Sequence, residues 1–455
     1  MFQRFFEEGL AQSSFLIGCD RTRRAVVIDP RRDAGVYVDA ARQHGLTITH
    51  AIETHIHADF VSGARELAAI GARVVAGPGS GLAFEHKEAA DGERLSVGGL
   101  TLTMLHTPGH TPEHICVLVE TSAEPRRLFT GDLLFVGAVG RPDLHGDAQS
   151  RGLAEQLFAS LQRVMALDDE IEVHPGHGAG SLCGARIGKE PSSTIGRERA
   201  HNPMVQVTDC QVFVEAVLGD LPETPPYFAR TKHVNQEGPT VLGLADGVRR
   251  VPAIRPAAAA ALAADGAVII DLRASQAFSA AHPESAINIA FGPKVGYWAG
   301  WVISPDVPLI LLAEDPKQVP EAAVQLLRVG FERIEGYISG GAPSWRADGL
   351  PMRSIEQISA ADLRTALTSG AAKPIHLIDV RSPSEWRAGH IDGAVNIPVG
   401  EITAHAATLP RDATIATICE GGFRSSLAAS LLAQEGIDRL VNVAGGLAAY
   451  RALDI

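Results

Sequence analysis

The second half of the chain contains the same sequence pattern twice. The segment VIIDLRASQAFSAAHPESAINIA returns as HLIDVRSPSEWRAGHIDGAVNIP, so that Asp271 corresponds to Asp379 at an offset of 108 residues. Farther along the chain, Gly341 corresponds to Gly446 at an offset of 105. So small a drift indicates two copies of one domain, and strands that alternate with helices predict an α/β fold for each copy.

Length and patterning predict a different domain before the repeat. The 455 residues exceed one ordinary core, since most domains have about 100–200 residues. The first half alternates short apolar runs, such as AVVIDP and HICVLVE, with loops rich in Gly, Pro and His, which predicts stacked sheets. We expect domains at residues 1–247, 250–350 and 355–455.

Composition argues against two classes of partner. A formal net charge of −13 is unsuited to a surface that binds nucleic acid. The longest apolar stretch is shorter than the roughly 20 residues of a membrane helix, so we expect a cytoplasmic protein without a membrane partner. The five cysteines are never spaced as CxxC, which indicates neither a disulfide framework nor a thiolate zinc site. Homo-oligomerisation is left open.

Residues 53–60, ETHIHADF, suggest a metal centre in the first domain. His55, His57 and Asp59 alternate, and if the preceding strand continued they would point the same way and could converge on one ion. Further candidate ligands stand beside Gly or Pro in later loops, at His110, Asp132, His174 and His177. The segment ends in Phe60, where another ligand could have stood.

This pattern resembles the metallo-β-lactamase superfamily over roughly residues 1–200. The superfamily motif THxHxDH, then GH, then GD, then His, is met except at Phe60. The stretches HTPGHT, TGDLLFVGAVGRPDL and HADF look most like the persulfide dioxygenase branch. The resemblance implies an αββα sandwich and one Fe(II) per chain, held by His55, His110 and Asp132.

The residues themselves also favour a single metal ion. Phe60 has no lone pair, so a second ion would be held only by Asp59, His177 and a bridging Asp132. Two histidines and one carboxylate around one ion form the facial arrangement of non-haem Fe(II) oxygenases. His57, Asp59 and His177 would then orient ligands or waters through hydrogen bonds. If the metal is zinc instead, His57 becomes a ligand.

Two further residues are candidates for substrate binding. Arg141, in GRPDL, matches the position at which the branch uses arginine on the thiol carrier, and a guanidinium suits a carboxylate of that carrier. The alternative is that Arg141 holds its own loop through Asp143. Cys183 follows His177 in a Gly-rich loop, where it could receive or pass sulfur or simply be buried.

The last domain contains a second candidate site, in the loop CEGGFR. A strand leads into Cys419, and a helix is predicted from about Ser425 to Glu435, so the helix N-terminus and Arg424 favour negative charge on the sulfur. This loop and the DVRSPSEWRAGHIDGAVNIP segment resemble a rhodanese domain over residues 355–455. The resemblance implies that Cys419 carries sulfane sulfur as a persulfide and that Arg424 binds anions. The first copy has Ala313 in place of the cysteine, so residues 250–350 are predicted to be an inactive rhodanese-like domain.

Both resemblances concern persulfide sulfur. We therefore predict a non-haem iron persulfide dioxygenase fused to a thiosulfate or persulfide sulfurtransferase, acting in sulfide and sulfane-sulfur oxidation. Its partners would be O2, sulfite or thiosulfate, and a low-molecular-weight persulfide carried by glutathione, coenzyme A or a similar thiol. One alternative is a zinc thioester hydrolase resembling glyoxalase II with a rhodanese tail. Another is a sulfur carrier or sensor with a catalytically silent first domain, against which the retained His55, His110 and Asp132 argue.

Overall fold

The computed structural model describes residues 1–121, 125–219, 221–248, 250–368 and 375–454. The chain divides into two compact units. The first unit comprises Met1–Arg249 and Leu327–Gly330, and the second comprises Arg250–Leu326 and Phe331–Ile455. Among the described residues, no helix combines the length and the apolar character that a membrane crossing requires.

The first unit is built around two sheets. The strands of the first sheet, in spatial order, are β1 (Phe2–Glu7), β2 (Gln12–Cys19), β3 (Arg24–Ile28), β4 (Thr47–Ile52), β5 (Arg73–Ala76) and β6 (Lys87–Glu88). The next strands along the chain are β7 (Arg94–Val97), β8 (Leu100–His106), β9 (Ile115–Glu120), β10 (Arg127–Gly131), the small pair β11 (Leu134–Phe135) and β12 (Ala138–Val139), β13 (Glu172–Pro175) and β14 (Ser193–Thr194). The second sheet has the order β14-β13-β10-β9-β8-β7.

Six helices formed by the described residues belong to this unit. They are α1 (Gly35–Gln43), α2 (Ala64–Ala69), α3 (Asp147–Met165), α4 (Ile195–His201), α5 (Cys210–Gly219) and α6 (Tyr227–Glu237), with a short 3₁₀ turn at Leu244–Asp246. Of these, α1 and α2 pack on the first sheet and α3 and α5 on the second. The spacing of Leu153, Leu157, Leu161 and Val164 predicts a helix over about residues 149–166, and α3 is that helix, with these four apolar positions buried.

The alternation of side chains along the strands explains the layers. Along β2, Phe15 and Ile17 belong to the core that both sheets share, whereas Leu16 packs with residues of α1 and α2. In the second sheet, Phe129 faces the shared core and Leu128 packs with α3 and α5. The first unit is therefore the predicted αββα sandwich, with both sheets apolar on both faces.

The second unit contains two parallel sheets of the same topology. The first is β15-β20-β19-β16-β18 and the second is β22-β26-β25-β23-β24. The strands in chain order are β15 (Ala253–Ile254), β16 (Val268–Asp271), β17 (His282–Pro283), β18 (Ala286–Asn288), β19 (Leu309–Leu312), β20 (Ile334–Ile338), β21 (Met352–Arg353), β22 (Glu356–Ile358), β23 (Ile375–Asp379), β24 (Val395–Asn396), β25 (Thr414–Ile418) and β26 (Leu440–Val443). Strands β17 and β21 form a separate antiparallel pair.

Helices alternate with these strands, as the sequence predicts for the repeat. They are α7 (Pro256–Ala264), α8 (Ser275–Ala280), α9 (Val295–Val302), α10 (Gln318–Arg328), α11 (Gly341–Ala347), α12 (Ala360–Thr368), α13 (Pro383–Arg387), α14 (Ile402–His405), α15 (Phe423–Gln434) and α16 (Gly446–Arg451), with 3₁₀ turns at Val399–Glu401, Ala406–Thr408 and Ala452–Asp454. The equal strand order of the two sheets confirms that the repeated sequence is a repeated α/β fold.

The repeated polar residues make the same contacts in both copies. In the second copy, Arg381 pairs with Asp379, its Nη2 lying 2.7 Å from Oδ2, and Asn396 donates to the carbonyl oxygens of both residues. In the first copy, Arg273 pairs with Asp271 at 2.6 Å, and Asn288 donates to the corresponding carbonyl oxygens. These residues support the turn after the second strand of each copy, whether or not a cysteine stands in the neighbouring loop.

Candidate functional site

The ETHIHADF segment lies in a loop, because β4 ends at Ile52. The carboxylate of Asp29 accepts hydrogen bonds from the backbone N–H of Thr54 at 2.7 Å and from its hydroxyl at 2.9 Å, which turns the chain away from the strand direction. Convergence of His55, His57 and Asp59 on one ion is conditional on a continuing strand, and that condition is not met. Alternation holds only along a continuing strand, and here the three side chains enter three different clusters.

The first cluster contains His55, His110 and Asp132. Each offers a ligand atom within 4.8 Å of the other two, and all three side chains are buried. Oδ2 of Asp132 lies 3.8 Å from Nε2 of His55 and 3.5 Å from Nε2 of His110. Ligands about 2.1 Å from one ion lie roughly 3–3.5 Å apart, so these atoms are close to a binding geometry.

The orphaned oxygen of this cluster fits a metal ion. Oδ2 of Asp132 is buried and has no hydrogen-bond partner among the described residues. A buried carboxylate oxygen without a partner is costly, whereas a cation facing it would satisfy it. The donor set of two imidazoles and one carboxylate suits a divalent transition metal.

Hydrogen bonds fix the orientation of each member of the cluster. Nδ1 of His110 donates to the carbonyl oxygen of Arg141 at 2.7 Å, and Nδ1 of His55 lies 2.9 Å from the Thr54 hydroxyl, whose proton goes to Asp29. Each ring therefore keeps a lone pair on Nε2, where a metal would bind. The backbone N–H of Asp132 donates to His114 at 3.1 Å.

The second cluster holds His57 between two carboxylates. Its Nε2 lies 3.2 Å from Oδ1 of Asp29 and 3.2 Å from Oε2 of Glu53. Burial opposes a positive charge on this ring, but the two carboxylates outweigh burial and hold the pKa of His57 well above its usual value. Phe60 is fully buried and packs on His57, with ring centroids 4.3 Å apart. The only signal for Asp29 in the sequence is a carboxylate at the end of an apolar strand.

The third cluster connects Asp59, His177 and Cys183. Nε2 of His177 lies 2.8 Å from Oδ2 of Asp59, and Nδ1 lies 2.8 Å from Oδ1 of Asp132. Burial disfavours the charged ring, yet the carboxylates of Asp132 and Asp59 raise the pKa of His177 to about 10. His177 thus spans two carboxylates, one of which also faces His55 and His110. His174, also a sequence candidate, lies elsewhere, stacked on Phe129 at 5.4 Å.

Cys183 lies at this site, as the loop position suggested. It is 1% exposed, and its sulfur is within 4.8 Å of ligand atoms of Asp59 and His177. Burial, followed by the charges of Asp59 and Asp132, raises the pKa of the Cys183 thiol well above its usual value. The environment therefore favours the protonated thiol when no cation is bound nearby.

Arg141 makes the contacts expected if it holds its own loop through Asp143. Its Nε and Nη2 donate to the two carboxylate oxygens of Asp143, each at 2.7 Å, and Nη2 also donates to Thr224 at 2.6 Å. Nη1 donates to the carbonyl oxygen of Leu182 at 3.1 Å, and the residue is 2% exposed. These donors are engaged and the side chain is buried. The geometry therefore favours a role for Arg141 in holding the loop that carries Cys183, and not in contacting a thiol carrier.

A small pocket adjoins the first and second clusters. Its lining includes His55, His57, Glu53 and Glu113 together with apolar groups such as Leu82, Phe84 and Pro239. A mostly apolar chamber with a few convergent polar groups is the usual character of a small-molecule site.

The loop CEGGFR of the second unit surrounds Cys419. The residue is 1% exposed, and its Sγ accepts a hydrogen bond from the backbone N–H of Gly422 at 3.1 Å and lies 3.5 Å from Oγ of Ser425. Gly446 approaches this loop closely, since a Cβ there would lie 2.2 Å from the Cys419 carbonyl oxygen. Helix α15 begins at Phe423, so the loop ends at a helix N-terminus as predicted.

Arg424, predicted as the anion-binding residue of this loop, is paired with Glu385. Its two Nη atoms donate to the two carboxylate oxygens at 2.6 and 2.7 Å. Burial acts to raise the pKa of Glu385, but the hydrogen bonds and charge of Arg424 lower it to about 2. The sequence reasoning overlooked Glu385, although SPSE at residues 382–385 has the spacing of a capping box, which the structure contains.

Comparisons with known proteins agree with this architecture. Residues 8–177 match the family described as the metallo-beta-lactamase superfamily, and residues 256–348 and 359–453 match the rhodanese-like domain. A solved structure of a metallo-beta-lactamase from Staphylococcus aureus is similar with a TM-score of 0.65 and 34% identity, covering 74% of this chain and 98% of that one.

Curated relatives of the first domain include both a hydrolase and a dioxygenase. A hydroxyacylglutathione hydrolase of Prochlorococcus marinus is 30% identical over 164 residues, which are 34% of this chain and 62% of that protein. The mitochondrial persulfide dioxygenase ETHE1 of Bos taurus is 28% identical over 226 residues, or 48% of this chain and 80% of that protein. Similarity of this order is compatible with either chemistry.

Proposed function

Because this chain belongs to the metallo-beta-lactamase superfamily through its first half and carries two rhodanese-like domains in its second, we propose that it is an iron-dependent persulfide dioxygenase fused to a sulfurtransferase. We place the domains at residues 1–247, 250–350 and 355–455, and the protein in the cytoplasm. The net reaction of the first site is RSSH + O2 + H2O giving RSH and sulfurous acid, which ionises to sulfite. The persulfide is carried by glutathione, coenzyme A or a similar thiol.

The observation that carries this proposal is the orphaned oxygen of Asp132. It faces Nε2 of His55 and Nε2 of His110, while His57 is grouped with Asp29 and Glu53 instead. Two imidazoles and one carboxylate on one side of an ion leave its other side open, which is the ligand set of non-haem Fe(II) oxygenases. Bound at these residues, Fe(II) would supply the redox chemistry that couples O2 to the persulfide sulfur.

The surrounding residues prepare the site for that chemistry. Arg141 and Thr54 hold His110 and His55 with their Nε2 lone pairs directed at the cluster. His177 donates to Oδ1 of Asp132, which leaves Oδ2 as the available oxygen. Phe60 fills the position of a further ligand with an apolar ring, and so keeps water from that side.

At the substrate side, we assign Arg141 to holding the Cys183 loop and Cys183 to contact with the sulfur of the substrate. The backbone N–H of Arg141 donates to the carbonyl oxygen of Cys183 at 2.9 Å, so the two residues are directly connected. In the last domain, the Cys419 thiolate attacks the sulfane sulfur of a donor, forms the Cys419–sulfur bond and releases the donor's remaining part. Arg424 stands beside that loop as a positioning residue.

Oxygen uptake tests the proposal. Full-length protein loaded with one iron per chain should consume one O2 per glutathione persulfide and release sulfite, whereas Asp132→Asn should not. Cys419→Ser serves as the matched control, because it leaves the first domain unchanged and should retain uptake. Iron-loaded protein with the full metal content and no uptake would refute the dioxygenase.

A zinc-dependent thioester hydrolase is the second candidate, supported by two observations. Nδ1 of His57 is buried without a hydrogen-bond partner among the described residues, so it could turn to a metal. Asp59, His177 and Cys183 also gather three potential ligands beside Asp132. Two zinc ions per chain, together with turnover of a glutathione thioester, would favour this candidate over the dioxygenase.

A further inference from the structure

Among the described residues, the charged side chains around Cys419 are equal in number, with three arginines and three carboxylates. Glu420 follows the cysteine directly, and its side chain is 44% exposed. One of its carboxylate oxygens lies 3.4 Å from Nη1 of Arg381, and the other lies 3.4 Å from Nη1 of Arg451. These distances are at the limit of hydrogen bonding, so the two arginines offset the charge of Glu420 only weakly, and its exposed carboxylate belongs to the residue next to Cys419.

The arginines of this region are already engaged. Arg424 forms a two-pronged ion pair with Glu385, whose carboxylate also accepts from the backbone N–H of Ser382 at 3.1 Å. Arg381 is 2% exposed and pairs with Asp379 through Nε and Nη2. Together, these contacts tie Arg381, Arg424 and Arg451 to the carboxylates of Asp379, Glu385 and Glu420.

This balance affects donors differently according to where their charge lies. In thiosulfate, the two negative charges are shared between the sulfane sulfur and the sulfonate oxygens bonded next to it, so the whole dianion must enter the Cys419 site close to Glu420. In a persulfide of glutathione, the carboxylates are several bonds away and can stay in solvent. A site with no excess positive charge does not attract the dianion, and an exposed carboxylate repels it.

We propose that Glu420 and Glu385 determine donor specificity at Cys419, so that the site takes sulfur from thiol-borne persulfides and discriminates against thiosulfate. Glu420 acts directly by its charge, and Glu385 acts by neutralising Arg424. The inference rests on the proposed sulfur-carrying role of Cys419, and the same argument covers the reverse reaction, in which sulfite is the acceptor.

The chemical step balances for both donors. With a persulfide, the Cys419 thiolate attacks the terminal sulfur of RSSH, the donor S–S bond breaks, and the products are Cys419–SSH and RS⁻, which takes a proton from solvent. With thiosulfate, the same attack forms the Cys419 persulfide anion and releases sulfite. The total charge is conserved in each case, and no further oxidant or reductant is needed.

Sulfur loading of Cys419 in the full-length protein measures this specificity. Oxygen is excluded so that the first domain cannot consume the persulfide, and the mass gain of the Cys419 peptide is followed with glutathione persulfide or with thiosulfate as donor. The variants are Glu420→Gln and Glu385→Gln. Glu435→Gln is the matched control, since it removes one negative charge at the exposed far end of α15.

The wild-type protein should load from glutathione persulfide at least about tenfold faster than from thiosulfate. Glu420→Gln should raise the thiosulfate rate constant about five- to tenfold, the size expected for removing one charge close to a dianion, and should change the persulfide rate by less than about twofold. Glu385→Gln should act in the same direction, and added salt should shrink both effects. Glu435→Gln should change neither rate.

Two results would overturn the inference while leaving the sulfurtransferase intact. One is wild-type loading from thiosulfate at least as fast as from the persulfide, and the other is an equal effect of Glu420→Gln on both donors. Absence of loading from either donor, in protein that remains folded by circular dichroism, would instead refute the role of Cys419 on which the inference depends.

Discussion

At the scale of single residues, the number of metal ions depends on His57 and Phe60. His57 lies with Asp29 and Glu53, and Phe60 packs against its ring where the superfamily motif has a histidine. A metal held by His57 together with His55 and Asp132 would have to use Nδ1 of His57, since its Nε2 faces the carboxylates of Asp29 and Glu53. The role of His57 is therefore open to a direct test.

Replacement of His57 by Gln should leave iron binding intact. The amide can still donate to Asp29, so the buried carboxylates keep a partner, but no ring nitrogen remains for a metal. We expect about one iron per chain in His57→Gln and less than about a tenth of that in His55→Gln, measured by elemental analysis after iron loading. Loss of iron from both variants to the same extent would make His57 a ligand and favour the hydrolase.

The ion pair between Glu385 and Arg424 should contribute a pH-dependent part of the stability. The folded pKa of Glu385, about 2, lies below its unfolded value near about 4.3, so the contribution is complete above pH ~4.3 and is lost as the pH falls toward about 2. Since the carboxylate side chain is 36% exposed, we expect only about 1 kcal/mol. Urea unfolding of wild type and Glu385→Gln should differ by this amount at pH 7 and converge as the pH falls from about 4.3 toward about 2. A difference that is constant over this range would contradict the assignment.

Residue types predicted the candidate clusters better than residue spacing did. His55, His110 and Asp132 were named from the motif, and the structure brings their ligand atoms within 4.8 Å. The alternation argument failed for His57 and Asp59, because the turn made by Asp29 lies far from them in sequence. Arg141 and Arg424 are predicted to bind anions, with a contact to Asp143 as the alternative for Arg141, and in the structure they pair with Asp143 and Glu385. A sequence shows a charge more readily than it shows what neutralises that charge.

At the scale of elements, the contact between helix α16 and the Cys419 loop depends on a glycine. Gly446 has φ +58°, and a Cβ there would lie 2.2 Å from the Cys419 carbonyl oxygen. The N–H of Leu447 donates to that same oxygen at 2.8 Å, so the helix start holds the loop in place. Gly341 is its counterpart in the first copy, with φ +60° and a distance of 3.2 Å to the Ala313 carbonyl oxygen.

We therefore expect Gly446→Ala to destabilise the protein more than the matched substitution Gly341→Ala. Both variants suffer the left-handed backbone strain of about 1–2 kcal/mol, but Gly446→Ala must displace its loop much farther than Gly341→Ala does, at a further cost of about 1–3 kcal/mol. Urea unfolding should rank the variants in this order, and sulfur loading of Cys419 should fall only in Gly446→Ala. Equal destabilisation by both, with unchanged loading, would show that the close approach does not matter.

The elements themselves were largely predictable. Helix α3 was expected at residues 149–166 from its apolar spacing and spans Asp147–Met165, because that spacing places one face on the second sheet. The start of α15 was placed at Ser425 but lies at Phe423, since Gly422 adopts φ +96° and ends the loop earlier. Helix boundaries of this kind cannot be predicted from sequence, because a glycine permits a positive φ angle but does not require it.

At the scale of the whole molecule, the two compact units should respond separately to metal. Calorimetry of the full-length protein should resolve two unfolding transitions. Iron binds only the folded first unit, so a hundredfold excess over its Kd should stabilise that transition by about 2.7 kcal/mol and leave the other unchanged. Cys419→Ser should not alter the shift. One single transition that moves as a whole on addition of iron would contradict this expectation.

The Asp271, Arg273 and Asn288 contacts, which repeat those of Asp379, Arg381 and Asn396, have a practical consequence. The two copies offer nearly the same scaffold, yet Ala313 stands where the other copy has Cys419. The first copy therefore serves as an internal negative control in every molecule. A sulfur-labelling reagent can be calibrated within one digest, by comparing the peptide that carries Cys419 with the peptide that carries Ala313, without a second preparation.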